Sequence, residues 1–134
     1  MNNKILIVDD TPINIQMAMN ILKDQGYKMF YAKSGEMALK IILENNFDLI
    51  LLDIMMPEMN GFEVCNKLKN NENTKNIPII FLSGKDSTQD IEQAYEVGGI
   101  DYIVKPFITI ELITKVNSYV RLKQLEDKFE ILKG

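Results

Sequence analysis

Asp9, Asp10, Asp53, Ser83 and Lys105 are the residues of this chain that could do chemistry together. Each ends or follows a short apolar run. Lys4-Ile5-Leu6-Ile7-Val8 leads into Asp9-Asp10, Leu49-Ile50-Leu51-Leu52 into Asp53, the run 77–82 into Ser83-Gly84, and the run 100–104 into Lys105-Pro106. If those runs are parallel strands, their carboxyl ends meet along one sheet edge, where open α/β sheets bind their ligands. Crowded carboxylates repel one another unless a cation neutralises them. Mg²⁺ fits an oxygen-only donor set, taking one or two carboxylates, several waters and a phosphate oxygen. A carboxylate can also attack phosphorus, and Asp53 is the natural nucleophile for an aspartyl phosphate. Lys105 and the metal would then neutralise charge on the transferring group, with the Ser83 hydroxyl donating to a phosphoryl oxygen.

The elements that must position these residues follow from apolar periodicity. Leu49 to Leu52 form an unbroken apolar run, as expected of a strand buried on both faces, and Pro57 and Gly61 mark the loop that leaves it. Residues 4–8, 28–32, 77–82 and 100–104 read as four further strands. Thr11-Pro12 opens a first helix, with Thr as N-cap and Pro at the first helical position, whose inward face is expected at Ile13, Met17, Ala18, Ile21 and Leu22; Gly26 closes it. Ser34-Gly35-Glu36 opens a second, with Met37, Ala38, Ile41 and Ile42 inward. A third runs through Phe62, Val64, Cys65 and Leu68. A fourth is capped from Asp86, Ser87 or Thr88, carries Ile91, Ala94, Tyr95 and Val97, and stops at Gly98-Gly99. A last helix starts near Thr109, with Ile110, Leu112, Ile113, Val116 and Val120 expected to cover the sheet. Five strands alternating with five helices predict a doubly wound α/β domain with a parallel sheet.

Composition narrows the function. At 134 residues, with 46% hydrophobic and 25% charged residues, the chain suits one globular domain. It has no histidine and a single cysteine, Cys65, which excludes a disulfide framework and a thiolate zinc site; Cys65 is expected in the core and the methionines as packing filler. A net charge of −4 argues against a nucleic-acid surface. No apolar run approaches the ~20 residues of a membrane span, and residues 2–4 enter the first strand directly, so no secretory signal and a cytoplasmic location are expected.

With these residues in order, the chain from 4 to about 120 resembles the receiver domains of two-component response regulators. The landmarks are Asp9-Asp10, Asp53 with Pro57 and Gly61 beyond it, Ser83-Gly84, and Asp101-Tyr102-Ile103-Val104-Lys105-Pro106-Phe107. The resemblance implies a flavodoxin-like strand order 2-1-3-4-5. It implies that Asp53 accepts a phosphoryl group from a histidine kinase or a histidine phosphotransfer protein. Asp10 would ligate Mg²⁺ directly, Asp9 mostly through water, and Asp53 and the Met55 backbone carbonyl would complete the protein ligands. Lys105 would pair with the phosphoryl group, before a cis bond to Pro106. Ser83 and Tyr102 would form a switch pair that reshapes helix four, strand five and helix five. Catalysis would be confined to the domain's own phosphorylation and dephosphorylation. Gly99, where the family often has alanine, is expected only to loosen a loop. Met55 and Lys85, two beyond Asp53 and Ser83, occupy variable positions that influence phosphoryl loss.

Three other classes fit less well. A receiver-like interaction module that works without phosphorylation would not need the full acid, hydroxyl and lysine set. An aspartate-nucleophile phosphatase would want a second acid two residues beyond the nucleophile, where Met55 stands. A flavin module would be repelled by Asp9-Asp10. Beyond Val120, Leu122, Leu125, Phe129 and Leu132 keep a three-four spacing with no sheet left to cover. Residues 1–120 are therefore expected to be the receiver, and 121–134 a helical extension. That extension would either be a frayed overhang or link to an output or kinase module in a longer parent chain, in which case the isolated domain should also pair weakly with a second copy.

Overall fold

Residues 3–84 and 88–133 are described by a computed structural model. The strands are β1 (Lys4–Val8), β2 (Lys28–Ala32), β3 (Leu49–Asp53), β4 (Ile79–Ser83) and β5 (Asp101–Val104). They make one parallel sheet in the order β2-β1-β3-β4-β5. The fourth strand starts at Ile79 rather than 77, because Pro78 cannot donate to the ladder. The fifth starts at Asp101 rather than 100.

Successive strand residues point to opposite faces, and both faces are covered. Leu6, Val8, Ile50, Leu52, Ile79 and Phe81 face α2 (Gly35–Glu44), α3 (Gly61–Lys69) and α4 (Thr88–Glu96). Ile5, Ile7, Leu49, Leu51, Ile80 and Leu82 face α1 (Pro12–Leu22) and α5 (Thr109–Lys133). This double burial is why β3 has no polar residue before Asp53. Cys65 is fully buried, as expected, and burial pushes its thiol up to about 11.

Several helix faces differ from expectation. α1 buries Ile15, Ala18 and Leu22, while Ile13 and Met17 are exposed. In α2, Ala38 and Ile42 are buried and Met37 is exposed. Tyr95 of α4 and Ile110 of α5 are also exposed; Leu112, Val116 and Val120 carry the sheet contact of α5. Met17, Met37 and Met55 are surface residues rather than filler, whereas Met56 is buried and Met59 packs on the core.

Helix ends are fixed by local chemistry. Ser34 Oγ accepts from the Met37 N–H at 3.1 Å, as its position predicts. The Thr11 side chain makes no such bond. The carboxylate of Asp9 accepts from the Thr11 N–H at 2.9 Å instead. α1 ends at Leu22, four residues before Gly26. α3 opens with an unforeseen capping box between Asn60 and Glu63. The expected caps Asp86 and Ser87, and Lys85, lie outside the described residues.

Gly99 is not a loose point. A Cβ there would lie 2.7 Å from two ring carbons of Phe81 and 2.8 Å from the Ala94 carbonyl oxygen, so the missing side chain is where α4 closes onto β4.

Candidate functional site

The parallel register brings the chemistry-bearing residues together. Asp53 ends β3 and pairs with Leu82, Ser83 ends β4 and pairs with Val104, and Asp9 follows Val8, which pairs with Leu52. Lys105 follows β5, its N–H donating to the Ser83 carbonyl at 2.7 Å, and its peptide bond to Pro106 is cis. With Asp10, Thr11, Met55, Gly84 and Asp90, Asp53, Ser83 and Lys105 line a cleft of about 560 Å³ at the carboxyl edge of the sheet.

Carboxylate oxygens of Asp9, Asp10 and Asp53 lie within 4.8 Å of one another. Asp9 and Asp53 are buried, and Asp10 is exposed to the cleft. Lys105 Nζ lies 3.1 Å from Asp53 Oδ1 and 3.3 Å from Asp9 Oδ2, so one ammonium is shared by two buried acids. One cation against three carboxylates leaves an excess of negative charge. Asp53 registers it: burial, then the charge of Asp9, push its carboxyl up to about 6, against the opposing pull of Lys105 and the Met55 N–H. A divalent cation bound by oxygen would remove that excess, and an all-carboxylate donor set suits a hard cation.

The loop after β3 is held close to this centre. The Gly61 N–H donates to the Ile54 carbonyl at 2.9 Å, and a Cβ on Gly61 would fall 2.2 Å from the Asp53 carbonyl oxygen, so only glycine fits. Within the loop Glu58 takes a left-handed φ of 67°. Met55 is 74% exposed, and its backbone N–H donates to the Asp53 carboxylate.

Ser83 is buried in the cleft wall. Tyr102, on β5, does not line the cleft. Its half-buried ring packs edge-on against Tyr95, with centroids 6.3 Å apart at 84°. Two polar groups surround these residues. Asp9 carries the polar start of α1, with Asn14 Nδ2 3.5 Å from the same oxygen that takes the Thr11 N–H. Asp101, Lys115 and Tyr119 form a polar group beneath Tyr102, whose only sequence signal is the four-residue spacing of Lys115 and Tyr119 on one helix.

This chain belongs to the response regulator receiver domain family, whose pattern it matches over residues 5–117. Receiver domains of two-component response regulators switch by phosphorylation. A protein of Vibrio cholerae serotype O1 named "Probable cyclic di-GMP phosphodiesterase" is 43% identical over 123 residues, covering 92% of this chain and 28% of that protein. Response regulator PleD of Caulobacter vibrioides is 36% identical over 128 residues, covering 96% of this chain and 28% of PleD. The chain thus spans little more than a quarter of either relative. The structure of chemotaxis response regulator CheY4 of Vibrio cholerae superposes with a TM-score of 0.83 at 31% identity, covering 89% of this chain and 99% of that one. Among the described residues no helix is long and apolar enough to cross a membrane.

Proposed function

We propose that Asp53 is the phosphoacceptor of this receiver, with Asp9, Asp10, Asp53 and the Met55 backbone carbonyl as the protein ligands of Mg²⁺. The observation that carries this reading is the Asp9, Asp10 and Asp53 cluster, with Lys105 Nζ between the two buried acids. When bound, Mg²⁺ supplies charge neutralisation for the acids and the phosphoryl oxygens. The protein's own groups do the rest. An Asp53 carboxylate oxygen attacks phosphorus in line; the new P–O bond forms as the P–N bond to the donor imidazole breaks, and the imidazole leaves with that bonding pair. Lys105 is placed to follow the phosphoryl oxygens as negative charge moves from Asp53 onto them, and Ser83 to donate its hydroxyl.

The donor is a histidine kinase or a histidine phosphotransfer protein, the kind of partner that receiver domains of this family take. Catalysis is limited to the domain's own phosphorylation and dephosphorylation. Ser83 and Tyr102 form the switch pair that carries the phosphoryl state to the surface of α4, β5 and α5. That surface controls a partner or an output module, which in a longer parent chain would follow α5; the low coverage of both relatives supports such an arrangement.

The test is the intact mass after incubation with acetyl phosphate. A gain of one phosphoryl group is expected with Mg²⁺, and none in chelator or in Asp53→Asn. Labelling that persists in Asp53→Asn would overturn the assignment. No labelling, together with no beryllofluoride binding, would favour an interaction module that works without phosphorylation.

A further inference from the structure

Asp101, the first residue of β5, is gripped from α5 by two side chains one helical turn apart. Its Oδ1 accepts from Lys115 Nζ at 3.2 Å and its Oδ2 from the Tyr119 hydroxyl at 3.0 Å. Lys115 Nζ also donates to the Tyr102 carbonyl oxygen at 3.0 Å and lies 5.5 Å from the centroid of the Tyr102 ring. One ammonium therefore touches the residue before Tyr102, the backbone of Tyr102 and its aromatic ring. The α4 residue Tyr95 packs edge-on against the same ring.

An open-surface ion pair would do little to fix a ring, because water and salt compete with it. This pair is more sheltered: the Lys115 and Asp101 side chains are 30% and 15% exposed. Charge-assisted hydrogen bonds and the attraction of the ammonium to the ring meet on one atom, Lys115 Nζ. The ring cannot turn or shift without changing its distance to that ammonium. The ammonium in turn cannot follow without loosening Asp101, which also holds Tyr119. Lys115 and Tyr119 flank Val116 and precede Val120, the last buried positions of α5.

We propose that Lys115 is a positioning residue that ties the orientation of Tyr102 to α5, so that a phosphoryl group at the strand ends is felt along the helix that leaves the domain. The inference rests on the reading of Ser83 and Tyr102 as a switch pair. It adds the route by which the ring reaches α5: the ammonium of Lys115, with Asp101 and Tyr119. Because coupling is reciprocal, what the ring does to α5, α5 does to the ring.

The experiment follows backbone amide resonances of the full chain as saturating beryllofluoride and Mg²⁺ are added. In the unaltered protein, shifts are expected at Asp10, Ser83 and Lys105 and along α5 beyond Val116. In Lys115→Met the strand-end shifts remain, and those beyond Val116 fall roughly threefold or more. Lys115→Arg, which keeps the cation, restores them. Asp101→Asn, which weakens one anchor and keeps the ring contact, falls between. A purely structural lysine would lower the melting temperature without changing the ratio of helix shifts to strand-end shifts. Full-sized α5 shifts in a folded Lys115→Met protein overturn the proposal. An unaltered protein whose strand-end amides shift while α5 stays still overturns the switch reading itself, and one that shows no shift anywhere overturns the phosphoacceptor reading on which both rest.

Discussion

Asp53 and Lys105 set the energetics of the site. A carboxyl raised to about 6 from an ordinary 3.8 binds more protons in the folded than in the unfolded chain across that interval. Its contribution to stability therefore falls as pH rises from about 4 to 6, and stays low above it. Asp53→Asn removes the charge and keeps the shape. In chelator at pH 7 it should stabilise the protein by on the order of 1–3 kcal/mol, a gain that shrinks towards zero near pH 4. Urea unfolding at the two pH values checks this, and a gain independent of pH would contradict it. Lys105→Met acts in the opposite direction. It strips two buried acids of the cation they share, which should cost about 3 kcal/mol in chelator at pH 7. Added Mg²⁺ should recover part of that loss; an equal loss with and without Mg²⁺ would mean that Lys105 acts outside the acid cluster.

At the scale of elements, Gly99 gives the sharpest test. With the Phe81 ring and the Ala94 carbonyl occupying the space of its missing Cβ, Gly99→Ala should destabilise the domain by about 1–3 kcal/mol through overpacking, measured by urea unfolding. A neutral substitution would show that α4 can withdraw at no cost. The same element scale divides what the sequence reveals from what it hides. Strands were legible to within two residues because parallel strands buried on both faces are unbroken apolar runs, and a polar residue such as Asp53 can stand only where one surfaces. The strand-end acids were legible for the same reason, since parallel topology gathers all carboxyl ends at one edge. Helix faces were less so. Between Ile13 and Leu22, α1 carries Ile, Met, Ala or Leu at seven positions, so more than one stripe can be drawn, and only the sheet beneath selects Ile15, Ala18 and Leu22. The same ambiguity hides the exposure of Met37 and Ile110. The Gly99 contact and the Asp101, Lys115 and Tyr119 group join elements that composition and periodicity do not relate.

For the whole molecule, α5 is the element that does not end with the domain. Val120 is its last buried residue, yet the helix continues to Lys133 with Leu122, Leu125, Phe129 and Leu132 exposed at 49%, 54%, 63% and 86%. Their three-four spacing forms a short seam. In a parallel pair of copies Arg121 would face Glu126 favourably, and Lys128 would face Lys133 unfavourably. Eight such side chains, each still able to contribute about 1–2 kcal/mol by burial, stand against an association cost of about 4–15 kcal/mol. Terms of the same size leave only weak self-association. The Lys123 side chain, 14% exposed, is the last to pack against the domain, so ending the chain after Lys123 should leave the melting temperature within about 2 °C and remove the dimer. Leu125→Ser with Phe129→Ser should remove the dimer without shortening the chain. Sedimentation equilibrium across a wide concentration range, with and without beryllofluoride, is the measurement. A full chain that stays monomeric at the highest concentration in both states would eliminate pairing through the seam and leave the helix as a lead into a following module, whose own surface would then have to cover Leu125 and Phe129.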